Sequence, residues 1–381
     1  MTSVETSDTS FMRLALDEAR KGSPSPNPHV GAVIVPPGST EIVGRGFHAR
    51  PGREHAEVAA IREAGERARG ATLYVTLEPC NHHGRTPPCT EAILAAGIAR
   101  VVVGIRDPNP HVTGEGNARL RAAGVTVTEA VMADACARSL APWTKHVRTG
   151  VPWVRLKLAA SLDGRIAAAP HPSRPDAPRG VSRWITGPDA RRRVHALRAS
   201  VDAVAVGIGT VLADDPDLSP RDAARIEGRD LPARIVFDAG LRLPLASRLA
   251  STAKDSPVWV IGAEDAAPHV RMDLEAIGVR VIVAPRTAEG RIDLSRALER
   301  IGAAGIVDLL VEGGAHLAGA LVEKGLVDEL VWYVAPIALG AAGAPALVGP
   351  SPASPDLARR FRIESVEHVG EDLEITLRRR D

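Results

Sequence analysis

Four residues early in the chain have the types and spacings that hydrolysis at a metal requires: His55 and Glu57 in His55-Ala56-Glu57, Cys80 after Pro79, and Cys89 after Pro87-Pro88. One imidazole and two thiolates make a donor set that favours zinc. Three protein ligands leave the fourth tetrahedral position to water, whose pKa the metal lowers. A carboxylate that is not a ligand must then carry the proton from water to the leaving group, and Glu57 stands two residues from His55 for that task. The chemistry such a set performs is replacement of a ring amino group by oxygen. A closed structural zinc site would want a fourth ligand, for which His82 or His83 is at hand. Glu57 at this offset favours the catalytic arrangement.

The elements around these residues fit their use. His55 opens a predicted helix (HAEVAAIREAGERA), Cys80 follows the predicted strand TLYVTL, and Cys89 opens the helix TEAILAAG behind two prolines. Proline suits helix starts, and the partial positive charge of helix N-termini favours thiolates. Before them come a helix over 11–21, stopped by Gly22, and two strands, GAVIV and EIVGRGF, around a PPGST turn. After them the pattern runs strand ARVVVGI, helix GNARLRAAG, strand VTVTEAV and closing helix DACARSLAPWTKHV. That alternation predicts a layered α/β domain over 1–149.

Near Thr149–Pro152 the pattern restarts, so 150–381 form a second domain, in keeping with a length of 381 residues. Its predicted strands are WVRLKLAAS, VDAVAVGIG, RIVFDAG, PVWVIGA, RVIVAP, VDLLVEGG and ELVWYVAPIAL, closed by the pair FRIESVEHV and DLEITLRR. Helices are expected in PDARRRVHALRA, LSRALERIGAAG and AHLAGALVEKG, and a Pro-rich loop over 169–180. The domain reads as mostly-β α/β.

Composition excludes several classes. A formal net charge of +1 gives no electrostatic case for nucleic acid or an anionic membrane, and 3% aromatics leaves little to stack on bases. No apolar run reaches spanning length and no basic segment leads into one, so the expected compartment is the cytoplasm. Three cysteines argue against a disulfide framework. Cys136, in an Ala-rich helical stretch, is expected to be a small core residue.

The set H-x-E … P-C is the zinc-deaminase pattern, with one departure: the usual C-x-x-C is opened here to Cys80-NHHGRTPP-Cys89, a polar, cationic insert suited to a phosphate or ribose. The segments PNPHVGAVIV, HAE and TLEPCNHHGRTPPC, followed in order by LKLAASLDGRIA, SRWITGPDARRRVHALRA, VGIGTVLADDPDLSPR and LLVEGGAHLAGALVEKGLVDEL, resemble the bifunctional deaminase–reductases of riboflavin biosynthesis over nearly the whole chain. The resemblance implies a cytidine-deaminase-like α/β/α layered domain followed by a dihydrofolate-reductase-like α/β domain. It implies deamination of 2,5-diamino-6-ribosylamino-4(3H)-pyrimidinone 5′-phosphate, then NADPH-dependent reduction of the ribosyl chain to give 5-amino-6-(5-phospho-D-ribitylamino)uracil. The partner is thus a small phosphorylated pyrimidine, and the family's pairing implies a homo-oligomer.

Carried over residue by residue, the resemblance gives zinc to His55, Cys80 and Cys89 and the proton to Glu57. Asn27, His48, His82 and Arg85 match positions that contact the deaminase substrate, although alone Asn27 suits a turn and His48 a strand end. In the second domain there is no dinucleotide fingerprint: Gly207-Ile208-Gly209 has Leu212 where a third glycine would stand. The better anion cradle is Glu312-Gly313-Gly314 before a helix. The resemblance assigns Ala159, Trp184, Thr186, Thr210, Asp214 and the segment Gly314, Ala315, His316, Leu317, Ala318, Gly319 and Ala320 to NADPH. It assigns Ser182, Arg198, Leu218, Arg221 and Glu312 to the sugar-phosphate substrate. Lys157 and Asp214 are the candidates for polar work beside the hydride acceptor. The competing reading is an RNA-editing zinc deaminase with an accessory domain, which the near-zero charge and the lost C-x-x-C spacing disfavour.

Overall fold

The computed structural model describes residues 3–83, 87–109, 115–169, 184–221, 225–226 and 229–380. They form two compact units: residues 1–150 with the short stretch Ile226–Asp230, and residues 151–225 with 231–381.

The first unit begins with α1 (Ser3–Ala19), the hairpin β1 (Gly31–Val35) and β2 (Gly44–Phe47), and α2 (Ala56–Ala64). It continues with β3 (Thr72–Leu77), α3 (Cys89–Ala95), β4 (Arg100–Ile105), α4 (Glu115–Ala122), β5 (Thr126–Thr128) and α5 (Ala133–Thr149). The sheet order is β2-β1-β3-β4-β5. β1 runs antiparallel to β2 and β3, while β3, β4 and β5 are parallel. Phe11, Met12 and Ala15 of α1 and Cys136 of α5 pack against Val33, Tyr74 and Val102 on one face, so Cys136 is the buried core residue its surroundings predicted. α2 covers the other face. It lies so close to β2 that a Cβ on Gly44 would meet Ala60 O at 2.2 Å, and one on Gly46 would meet Ala56 O at 2.0 Å. Glycine is required there by proximity, not by backbone angle.

Two local expectations shift: α1 starts well before residue 11, and EIVGRGF contributes only its last four residues to β2. Pro142 sits inside α5, as the expected helix DACARSLAPWTKHV has it. A single lost amide bond inside a 17-residue helix is outweighed by burial of Cys136, Leu140, Pro142 and Trp143.

The second unit contains β6 (Trp153–Ser161), β7 (Arg165–Ala167), α6 (Pro188–Ala199), β8 (Ala203–Gly207), α7 (Ile208–Asp214), β9 (Ala233–Phe237), α8 (Arg248–Ser251) and β10 (Val258–Ala263). Then come α9 (Pro268–Ala276), β11 (Arg280–Ala284), α10 (Leu294–Ala303), β12 (Asp308–Glu312), α11 (Ala315–Glu323), β13 (Glu329–Ala335), β14 (Ala344–Pro345), β15 (Phe361–Val369) and β16 (Asp372–Arg379). Nine strands form one sheet in the order β11-β10-β9-β8-β12-β6-β13-β16-β15, parallel except where β16 joins β13 and β15. The unit is more helical than its sequence suggested. GIGTVLAD turns directly into α7 behind Gly207, and PHVRMDLEA, with proline at its start, forms α9.

Strand β6 alternates strictly. Val154, Leu156, Leu158 and Ala160 enter the core shared with α10 and α11, so Arg155, Lys157 and Ala159 point to the opposite face. There Arg155 Nε donates to Asp308 at 2.9 Å, and its guanidinium also pairs with Glu329. All three side chains are at most 20% exposed. Replacing Arg155 by Ala leaves buried Asp308 without its cation and Glu329 with only the more distant Arg378, 3.6 Å away. The expected loss is about 3–5 kcal/mol, or roughly 10 °C in the melting of this unit. An unchanged thermal melt would show that the triad contributes nothing.

Candidate active sites

The first site forms where two helices begin. His55 is the N-cap of α2, in extended conformation, and makes no side-chain cap bond, which leaves its ring to face the cysteines. Cys80 follows β3, and Cys89 is the first residue of α3 and fully buried. His55 Nδ1 lies 3.2 Å from Cys89 Sγ and 3.5 Å from Cys80 Sγ. Among the described residues, the ligand atoms of these three form a group within 4.8 Å of one another. A tetrahedral zinc with bonds of about 2.3 Å to sulfur and 2.0 Å to nitrogen sets nitrogen–sulfur separations of roughly 3.5 Å, so the donor set fits zinc in both kind and spacing.

The electrostatics agree. The Cys80 thiol is pulled down to about 4 by the hydrogen bond from Cys89, against its burial. The Cys89 thiol, facing that sulfur and buried, is pushed up. His55 is raised by its bond to Cys80. The Cys89 amide also points at Cys80 Sγ from 3.4 Å. Protons crowd a place where a divalent cation would replace them. Glu57, in the first turn of α2, is 3% exposed, and burial pushes its carboxyl up to about 7.

Asn27 and His48 are brought to the same place. Asn27 Nδ2 donates to His48 Nε2 at 3.0 Å, and His48 Nδ1 donates to Glu54 O at 2.9 Å. The His48 ring meets that of His55 edge-on, with centroids 5.2 Å apart. Burial lowers the His48 pKa, in keeping with a neutral ring that donates from one nitrogen and accepts on the other. His82 is exposed, and Arg85 lies outside the described residues. Sequence reasoning missed Glu78. Its buried carboxylate accepts from the Asp107 amide at 3.2 Å and the Asn117 amide at 3.0 Å, tying the chain after β4 to the segment that carries Cys80. The signal was a carboxylate at the end of an otherwise apolar strand.

In the second unit, Lys157 and Glu312 are register partners on the adjacent parallel strands β6 and β12, with Lys157 Nζ 3.9 Å from Glu312 Oε2. From α6, Arg198 clamps the same carboxylate with two bonds, Nε to Oε1 at 2.5 Å and Nη2 to Oε2 at 3.0 Å. Burial opposes the charge on Glu312, but Arg198 and Lys157 overcome it and lower its pKa. Burial, then the Arg198 charge, lowers the Lys157 pKa. Bidentate pairing of this kind fixes the carboxylate plane. Leu218 is buried and Arg221 exposed on the loop after α7.

The turn after β12 is built for close approach. Gly313 and Gly314 have φ of 66° and 80°, and a Cβ on Gly314 would stand 3.2 Å from Thr210 Oγ1. Bare backbone, a hydroxyl and the N-terminus of α11 make a donor set suited to a dinucleotide phosphate. Of the α11 run expected to line the cofactor, only part is available. Ala318 is fully buried in the core, and Gly319 packs against Val348, whose carbonyl would meet a Cβ at 2.0 Å. Ala315, His316, Leu317 and Ala320 retain exposure. Trp184 is 61% exposed, with the Arg191 guanidinium stacked 5.0 Å from its ring centroid. Thr186 is buried, Ala159 half-buried, and Asp214 exposed at the end of α7. Ser182 lies outside the described residues, as do all but the first residue of the Pro-rich loop.

Comparison with known proteins agrees with both halves. Residues 5–105 match the cytidine and deoxycytidylate deaminase zinc-binding region, and residues 152–375 match the RibD C-terminal domain. The chain is therefore a zinc deaminase joined to a reductase. It is 41% identical to the riboflavin biosynthesis protein RibD of Escherichia coli, with 96% of this chain and 98% of that one covered, and 38% identical to RibD of Aquifex aeolicus, with 98% of each covered. Acinetobacter baumannii RibD superposes with a TM-score of 0.81 at 37% identity, covering 99% of this chain and 100% of that one. A Thermotoga maritima structure described as a diaminohydroxyphosphoribosylaminopyrimidine deaminase/5-amino-6-(5-phosphoribosylamino)uracil reductase gives 0.80 at 32%, with 99% of each covered. The chain belongs to the RibD family of riboflavin biosynthesis proteins.

Proposed function

We propose that the first unit deaminates 2,5-diamino-6-ribosylamino-4(3H)-pyrimidinone 5′-phosphate, and that the second reduces the ribosyl chain of the product with NADPH to give 5-amino-6-(5-phospho-D-ribitylamino)uracil. The observation that carries this reading is the convergence of His55, Cys80 and Cys89 within 4.8 Å beside buried Glu57, in a chain of this family.

Zinc held by His55, Cys80 and Cys89 supplies the Lewis acidity that makes water nucleophilic near neutral pH. Glu57 takes the proton from water and returns it to the departing amine, so water is consumed and ammonia released. Its burial suits a carboxyl that must both accept and give a proton. Asn27 presents a fixed amide edge to the pyrimidine, held there by His48, whose two ring nitrogens are engaged by Asn27 and the Glu54 carbonyl.

In the second unit Thr210 and the Gly313-Gly314 turn would hold NADPH, which would supply hydride for C1′ of the ring-opened ribosylamine, an imine. The nitrogen gains a proton as the carbon gains hydride, and Lys157 is assigned to hold or give that proton. Glu312 keeps Lys157 in place, and Arg198 keeps Glu312 in place. Arg221 and Leu218 meet the sugar phosphate, while Thr210 and the Gly313-Gly314 turn meet the cofactor. The chain acts in the cytoplasm as a homo-oligomer.

The test is one vessel containing zinc-loaded protein, the diamino substrate and NADPH, with ammonia and NADPH followed together. Each substrate molecule is expected to release one ammonia and consume one NADPH, and chelation of zinc should stop both until deaminated substrate is added. Ammonia release without NADPH oxidation would overturn the assignment of the second unit.

A further inference from the structure

The loop between α7 and β9 carries Leu218, which is buried at 2% exposure although its φ is 66°, a conformation that side chains other than glycine seldom adopt. Such a kink persists only where its surroundings hold it. Three side chains from outside the loop grip its main chain. Arg234 of β9 donates through Nη1 to Asp217 O at 3.4 Å, Arg198 donates through Nη1 to Ser219 O at 3.3 Å, and the Arg221 amide donates to His195 Nδ1 at 3.3 Å.

Their surroundings differ. Arg234 is 1% exposed, and its Nη2 donates to the Thr252 and Ser256 carbonyls at 3.0 and 2.7 Å while Nη1 also reaches Thr252 Oγ1 at 2.8 Å, so it is part of the floor. Arg198 is committed to Glu312. His195 stands one turn before Arg198 on α6 and is half-buried. Its ring accepts from the residue whose side chain the preceding reading assigns to the phosphorylated substrate. Burial and then the Arg198 and Arg221 charges lower its pKa, in keeping with an Nδ1 that carries no proton and can accept.

We propose that His195 is a positioning residue of the reductase: by accepting the Arg221 amide it fixes the end of the 217–221 loop, so that Arg221 meets the substrate's phosphate in one orientation. The proposal rests on the reading that this loop seats the sugar phosphate. Without the acceptor the loop end has a choice of conformations, and part of the binding free energy goes to reordering it. The loss falls on affinity for the sugar phosphate, and neither on NADPH, which is read at Thr210 and Gly314, nor on hydride transfer.

The experiment uses the full chain with deaminated substrate and the variants His195→Leu, His195→Asn and Arg221→Ala. NADPH oxidation is measured over both substrate concentrations, with deamination as the folding control. His195→Leu is expected to raise KM for the sugar phosphate about tenfold, the effect of one lost hydrogen bond in a binding loop, with kcat and the NADPH KM within about twofold. His195→Asn, whose Oδ1 can stand where Nδ1 stood, is expected to recover most of that affinity. An unchanged KM in His195→Leu while Arg221→Ala raises it overturns the proposal, as does a loss confined to kcat or an Asn variant as poor as Leu. If Arg221→Ala itself leaves KM unchanged, the loop is not the substrate's seat, and the underlying reading falls with the proposal.

Discussion

Glu57→Gln is expected to lower ammonia release by about 10³–10⁴-fold, while NADPH oxidation with deaminated substrate stays at the level of the parent. Gln matches the carboxylate in shape, so the buried position on α2 stays filled, but it cannot take a proton from water or give one to the amine. General acid–base groups contribute about 10²–10⁴-fold, and the upper end is expected here because one carboxyl serves both transfers. Zinc content should stay unchanged, since Glu57 is not among the grouped ligands. Measuring metal content beside ammonia release separates the two roles. A variant that loses zinc together with activity would make Glu57 a ligand, and one that keeps a tenth of the activity would move the proton to another group.

The second large effect falls on the other unit. Lys157→Met is expected to depress NADPH oxidation by about 10²–10³-fold and to leave ammonia release untouched. Met has nearly the length of the lysine stem but no charge, and it leaves Glu312 paired to Arg198 through both oxygens. The carboxylate therefore stays satisfied, and the fold is expected to survive. Equal loss of both activities would show that Lys157 supports the protein instead of the reaction. A kcat unchanged at saturating substrate would reduce its role to binding.

Much of this was legible in the residues, because the chemistry is local. His55, Glu57, Cys80 and Cys89 lie at the ends of elements whose apolar periodicity is strong, and those ends are where the helices α2 and α3 begin. TLYVTL, WVRLKLAAS, FRIESVEHV and DLEITLRR occupy the strands expected of them, residue for residue. What escaped depends on contacts between distant positions. Helix α7 hides behind Gly207 because a short apolar segment reads equally as the tail of a strand. Glu78, His195 and Arg234 act through main-chain groups 17 to 39 residues away, and no periodicity encodes that. Arg234 did leave a trace: a guanidinium in the buried strand ARIVF must find partners. Ala318 and Gly319 show the converse. A run assigned to the cofactor as a block is divided by the helical period, with some members facing the core.

The close seat of α2 on β2 has a consequence for how this enzyme could change by mutation. At Gly44 and Gly46 even the smallest side chain would strike a helix carbonyl, and the helix that would have to retreat carries His55 and Glu57 at its tip. In a library that randomises the hairpin and is selected for ammonia release, those two sites should return almost only the parental residue. Arg45 between them, half-exposed and salt-bridged to Glu18 on α1, should accept many replacements. Selection on NADPH oxidation alone should erase the contrast, so the same three codons would report which half of the enzyme a population is being asked to keep.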